Sequence, residues 1–211
     1  MKKVFSLVLA VMLLASLSVV AFADLNRSVS TKAAPNFDRN SIAVEGADVK
    51  SVSLKLISAG SKVSANATDE EKAEYAENQT AVQNAISLFA DQAAIERAVK
   101  ETVEVASAKE KSDIYDKAED AVPSVSDIFY FDPKDESGKS ILPRVYDEGE
   151  NLAVKLTLKI DLPDHLLKVI ELVDSTWIEV PVVLDENGDS VLEFSYAGVV
   201  AFVYNSNVEK G

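Results

Sequence analysis

The chain holds one histidine, no cysteine and 35 Asp and Glu residues, and these counts decide most of its available chemistry. The histidine, His165, follows Asp164 at a turn. A Ser-His-Asp triad would need that imidazole, but no nucleophile-elbow pattern accompanies it, so His165 reads as an ordinary turn residue. Without cysteine there is no thiolate nucleophile, disulfide or lipid-carrying N-terminal Cys, and one His alone does not furnish the usual zinc ligands. Asp185, Asn187 and Asp189 have the oxygen-donor spacing that opens a calcium loop. That loop also needs Gly at its sixth position and a bidentate acid at its twelfth, and Ser190 and Tyr196 stand there. A hairpin turn of the Asn-Gly type explains the same letters better. Asp132, Asp135 and Glu136 form a second acidic loop whose spacing matches no calcium loop. Trp177 lies in the alternating run Thr176–Leu184, where Ile178, Val180, Val182 and Leu184 form the inward set. Trp177 therefore shares a side with Glu179, and an aromatic on a wet sheet face stacks on sugar or protein. It is the one candidate ligand-stacking residue; if the helical region covers that face, Trp177 is core. No catalytic, cofactor-binding or metal-binding residue is expected.

The elements that must hold these residues are legible from periodicity. Val52, Leu54 and Leu56 alternate with Ser51, Ser53 and Lys55, which predicts a half-buried strand. Thr68 followed by Glu71 fits a capping box. Beyond it, Tyr75, Val82, Ile86, Phe89 and Ala93 recur at helical spacing. A second helical run carries Ile95, Ala98, Val99, Thr102 and Val103, with the boundary between the two left open around Asp91. Ser112–Val122 is a shorter helix candidate ended by Pro123. From there the chain reads as β. Leu152, Val154, Leu156, Leu158, Ile160 and Leu162 all fall on one face of a period-two run, with Ala153, Lys155, Thr157, Lys159 and Asp161 on the other. Ser190–Tyr204 is the most apolar stretch of this half. It is too short for a spanning helix, which needs about 20 residues, and its Val, Phe and Tyr content favours strands. It is expected to form two short strands, paired or consecutive in a sheet.

Lys2 and Lys3, the apolar run Val4–Val20 and the small-residue site Ala21-Phe22-Ala23 predict a secretory signal peptide cleaved after Ala23. The alternative is a retained N-terminal anchor. Loss of Lys2 and Lys3 would take the formal net charge from −14 to −16. So acidic a chain has no electrostatic case for nucleic acid or anionic membrane surfaces, and no span is expected in the mature chain. The expected location is secreted or cell-surface associated, and the absence of disulfides suits a bacterial export route. Asn-x-Ser/Thr triplets at Asn26, Asn66 and Asn78 would matter only in a eukaryotic secretory pathway.

Lys168-Val169, Trp177, Val180, Gly188, Val191 and Phe194, then Ala201-Phe202-Val203, follow a loose order. It is a strand with a basic residue, a Trp-x-x-Val, a Gly turn, a Val and Phe strand, and an Ala-hydrophobic-Val close. In this the stretch Ser124–Tyr204 resembles the β-sandwich end modules of secreted or wall-attached Gram-positive bacterial proteins. Tyr196-Ala197-Gly198 departs from that pattern in its last motif. The resemblance implies a β-sandwich accessory module with no catalytic signature, and it implies no ligand.

The expected fold is α+β: a signal peptide (1–23), a flexible lead-in (24–41), a strand plus helical N-terminal section (42–121), an antiparallel β-sandwich-like C-terminal section (122–205) and a tail (206–211). The expected function is that of a non-enzymatic accessory protein that binds an extracellular protein or glycan, or has a structural role. The competing expectation is a small secreted hydrolase using paired carboxylates.

Overall fold

Two antiparallel sheets and two helices make up the described part of the chain, residues 36–38, 41–103, 121–147, 154–161 and 165–207 of a computed structural model. These residues all belong to one compact unit. In chain order the elements are β1 (Asn36–Phe37), β2 (Ala43–Glu45), β3 (Ser53–Ser58), α1 (Asp69–Ser87), α2 (Gln92–Glu101), β4 (Pro123–Lys134), β5 (Lys155–Asp161), β6 (Leu166–Val173), β7 (Thr176–Glu179), β8 (Val182–Leu184), β9 (Ser190–Phe194) and β10 (Gly198–Asn205). The expected signal peptide and residues 112–120 of the expected helix over Ser112–Val122 lie outside the described residues, as do Leu152 and Leu162; Ala121 and Val122, which are described, are not helical. Among the described residues no helix is long and apolar enough to cross a membrane.

The strands divide between an outer sheet, where β1 and β2 both pair with β5 and β5 continues to β9 and β8, and a middle sheet ordered β3-β4-β10-β6-β7. The helices lie on the far side of the middle sheet. Three layers result, with two cores. Leu156, Leu158, Leu192 and Phe194 of the outer sheet meet Phe129, Phe131, Val200 and Phe202 of the middle sheet. Phe131 and Phe194 stack across this gap at 3.9 Å between ring centroids. On the other side, Val82, Ala85, Phe89, Ile95 and Ala98 cover Ile57, Tyr130, Ile170, Val199, Ala201 and Val203.

That arrangement explains the apolar stretch near the C-terminus. β10 is central, flanked by β4 and β6, and every one of its residues is buried. Val199, Ala201 and Val203 face the helices, while Val200, Phe202 and Tyr204 face the outer sheet. A strand wetted on neither face has no reason to alternate in polarity. β9 and β10, expected as neighbours, sit in different sheets. The chain leaves the outer sheet at Ser195–Ala197, having entered it from β7 at Pro181, which interrupts the strand run between β7 and β8. The re-entry leaves no room at Gly198: a Cβ there would lie 2.4 Å from the Leu172 carbonyl oxygen.

The local signals hold where the helices begin. Glu71 donates its N–H to Thr68 Oγ1 at 3.2 Å, and Thr68 donates its own to Glu71 Oε2 at 2.8 Å, the reciprocal capping box. Asp91 caps α2 by accepting the Ala94 N–H at 2.8 Å, which settles the boundary between the helical runs. β6 and β7 turn at Asp174 and Ser175, both with positive φ (45° and 71°), as a two-residue type I′ turn requires.

One turn differs from expectation. Asp185–Asp189 is not an Asn-Gly two-residue turn. The Gly188 N–H donates to the Asp185 carbonyl at 2.9 Å, the Asp185 N–H to the Asp189 carbonyl at 2.9 Å, and the positive φ falls on Gly188 (83°). This is a three-residue loop closed by a glycine bulge. Asp135–Lys139 repeats it, with equivalent bonds at 3.0 and 2.9 Å and Gly138 at φ 82°. The shared letters, DENGD and DESGK, encode the same hairpin twice.

Candidate binding groove

A groove of about 610 Å³ opens between β3, the segment 61–67 and the first turns of α1. Three consecutive strand residues, Lys55, Leu56 and Ile57, line it. Neighbouring strand side chains point to opposite faces, so a groove touching all three meets the edge of the strand and its main chain. The facing wall carries hydroxyl and amide groups from Ser61, Ser64 and Asn66, and the exposed valine Val63. Gln79 of α1 fixes the start of this wall by donating to the carbonyls of Ala59 (2.9 Å) and Ser61 (3.3 Å). Ser58 and Ser61 hydroxyls meet at 2.9 Å. Tyr75 closes the inner end; its hydroxyl is buried and has no hydrogen-bond partner among the described residues.

The electrostatics of the groove are local. Glu71, the acid on its wall, already accepts the Thr68 N–H. Lys55 and Lys62 line the groove and join no ion pair among the described residues. Other strand lysines differ: Lys134 reaches Glu74 and Asp132, Lys155 reaches Glu193 at 2.8 Å, Lys159 reaches Asp185 and Asp189, and Lys168 reaches Glu179 at 3.0 Å.

Away from the groove, the acids are mostly committed. Asp132 is almost fully buried and accepts from Arg144 at 2.6 Å, and Arg144 also reaches Glu74 at 3.3 Å. Lys134 hydrogen-bonds the same Glu74 and, with Arg144, holds its carboxyl below the usual range against the desolvation that opposes them. This network ties α1 to β4. Asp135 Oδ1 accepts from Ser137 N–H (2.8 Å), Ser137 Oγ (2.6 Å) and Lys139 N–H (3.0 Å). In the twin loop, Asp185 Oδ1 accepts the N–H groups of Asn187 (2.8 Å) and Asp189 (3.0 Å). The Lys159 ammonium sits 2.7 Å from both Asp185 Oδ2 and Asp189 Oδ2 and holds the Asp185 carboxyl down to about 2. A lysine thus stands where those carboxylates would meet a cation. Among the described residues no group of three or more His, Asp or Glu converges on a metal-sized site.

Trp177 is buried beneath the helical layer, 8 % exposed, with its ring 5.1 Å from that of Phe89. The covered alternative is the one the geometry gives: Trp177 belongs to the helix-side core. His165 lies with its ring 5.1 Å from that of Tyr204, and its carbonyl accepts the Asn205 N–H at 2.9 Å. Asn78 is buried on α1, Asn66 lies exposed on the groove wall and Asn26 is outside the described residues.

Two acids were invisible to sequence reasoning. Glu171 is fully buried on β6 and neither carboxylate oxygen has a hydrogen-bond partner among the described residues; burial pushes its carboxyl well above the ordinary range. In "KVIELV" it occupies the parity of Val169 and Val173, so the alternation itself carries it inward. Asp127 sits in the left-handed region (φ 53°) where β4 bulges against β10. Burial raises its pKa, although Ser126 Oγ donates to it at 2.8 Å. The bulge moves the inward parity from Ser126 to Phe129, which a strict period-two reading cannot anticipate.

Comparison of the chain with protein-family models, with curated proteins and with solved structures gives no match.

Proposed function

We propose that this chain is a non-enzymatic, exported accessory protein that binds an extracellular partner through the groove beside β3. The observation that carries the reading is a groove whose wall offers main chain, hydroxyls and two lysines that join no ion pair among the described residues, while its one carboxylate is spent on a helix cap. The competing hydrolase reading asks for two free carboxyls converging on a cleft. The acids with raised pKa, Glu171 and Asp127, lie outside this groove. The likeness of Ser124–Tyr204 to Gram-positive end modules supports the accessory role. Export rests on the Lys2-Lys3 start and the Ala21-Phe22-Ala23 site, and N-terminal sequencing of the exported chain should read Asp24 first.

The test is capture from the cell envelope and growth medium of the producing organism, with the wild-type chain and the Lys55→Glu/Lys62→Glu variant side by side. The reading expects a component retained by the first and lost by the second. Turnover of a glycoside, ester or peptide by the purified chain, abolished when a single carboxylate is changed to its amide, would overturn it.

A further inference from the structure

We infer that the groove takes an extended acidic peptide, which adds to β3 as a further strand of the middle sheet. This rests on the binding reading above and names its partner class.

The sheet treats its two edges differently. At the β7 edge, Val103 pairs in parallel with Ile178: its N–H donates to the Trp177 carbonyl at 2.8 Å, and its carbonyl accepts the Glu179 N–H at 2.9 Å. The chain closes that edge with itself. At the other edge, β3 pairs with β4 on one side and with no strand among the described residues on its outer side. Ser58, the last residue of β3, already donates its N–H to Ser61 Oγ (2.9 Å) and accepts the Ser61 N–H on its carbonyl (3.1 Å). The rest of the edge, along Ser53–Ile57, presents N–H and C=O groups at the spacing a second extended chain needs. The groove lies along that edge, as its lining by Lys55, Leu56 and Ile57 requires.

Side-chain chemistry selects the peptide. A bare edge is a hazard, and a lysine such as Lys55 deters pairing with neutral or basic strands. The same ammonium, with Lys62 across the groove, attracts an incoming strand bearing Asp or Glu at alternate positions. Both lysines are without a carboxylate partner among the described residues, in a chain that pairs its other strand lysines. Val63, 38 % exposed on the wall, offers an apolar contact for an intervening side chain. Sugar recognition asks for a different surface, an exposed aromatic ring as a platform. Here the lining ring, Tyr75, packs into the helix-side core with its hydroxyl enclosed.

The experiment is selection of random ten-residue peptides displayed on phage against the full chain, followed by binding and amide hydrogen exchange with the enriched sequences as synthetic peptides. The expected result is enrichment of Asp or Glu at alternating positions, with slowed exchange confined to Ser53–Ile57. N-methylation of alternate peptide amides should abolish binding. The Lys55→Glu/Lys62→Glu variant, whose changes are exposed and should leave the melting temperature unaltered, should bind the acidic peptides at least about tenfold more weakly. Enriched peptides without acidic bias, binding indifferent to N-methylation, or protection elsewhere on the surface would each overturn the proposal. So would a failure to enrich any peptide. If that failure accompanies envelope capture that still depends on Lys55 and Lys62, only the peptide class falls; if capture fails too, the groove reading falls with it.

Discussion

The ring of Trp177 lies 5.1 Å from that of Phe89, tilted by 36°, so the residue just beyond α1 holds the helical layer onto the far edge of the middle sheet. Trp177 is the only tryptophan in the chain, and its fluorescence therefore reports on this site. The wild-type chain should emit at short wavelength and resist quenching by acrylamide. Phe89→Ala should cost about 3–5 kcal/mol, through lost burial and a residual cavity, and open Trp177 to the quencher. Emission from wild-type protein already typical of water would place the ring on the surface.

Leu156 is fully buried between the sheets and Thr157, its neighbour on β5, points the other way between Ala43 and Glu193. Leu156→Ala should therefore destabilise by about 2–5 kcal/mol and Thr157→Ala by less than about 1 kcal/mol. Equal losses in denaturant melts would mean that the register of β5 is wrong.

Glu171 gives the chain an unusual pH response. Its folded pKa is raised by burial, so the folded state favours the protonated form. The stability this confers is complete below the unfolded value of 4.5 and is lost as pH rises toward the folded pKa. Glu171→Gln cannot ionise. The variant should gain on the wild type as pH rises above about 4.5, measured as the difference between their melting temperatures. Asp185 works in the opposite sense and in another window: its pKa is lowered to about 2, and its contribution disappears only as pH falls from the unfolded value toward that point. Curves for wild type and Glu171→Gln that run parallel above pH 4.5 would show Glu171 to be solvated.

The Lys159 ammonium between Asp185 and Asp189 makes a cation at that loop redundant. Calcium or a chelator should leave the melting temperature of the wild-type chain within about 1 °C, since an ion bound to the native state would raise it by mass action. His165→Gln should leave peptide binding at the groove unchanged. A drop of several degrees on chelation, reversed by calcium, would direct attention to Asp132, Asp135, Asp185 and Asp189.

Where local chemistry dictates geometry, the residues told the story in advance. Thr68 and Glu71 announced the start of α1, and Leu156, Leu158 and Ile160 announced the buried face of β5. Long-range partnerships were out of reach. Nothing in "SVLEFSYAGVV" says that its halves join different sheets, because the crossing at Ser195–Ala197 depends on what β4 and β5 present there. The two- and three-residue strands β1 and β2, partly within the expected lead-in, are too short to show a period. The wall of the groove, "AGSKVSANA", carries no signal in the sequence, since serines and a lysine have no pattern of their own until a strand edge stands opposite them.

The pairing of β1 and β2 with β5 has a consequence in time. Ser41 Oγ accepts the Lys159 N–H at 2.9 Å across 118 residues of sequence. The outer sheet therefore cannot finish until most of the chain has emerged from the ribosome. Contacts of such separation are slow to form, because the intervening chain must first be gathered in. A nascent chain of this design stays unlocked during synthesis, with its first strands waiting for their partner, and completes its fold only after the last third has been delivered.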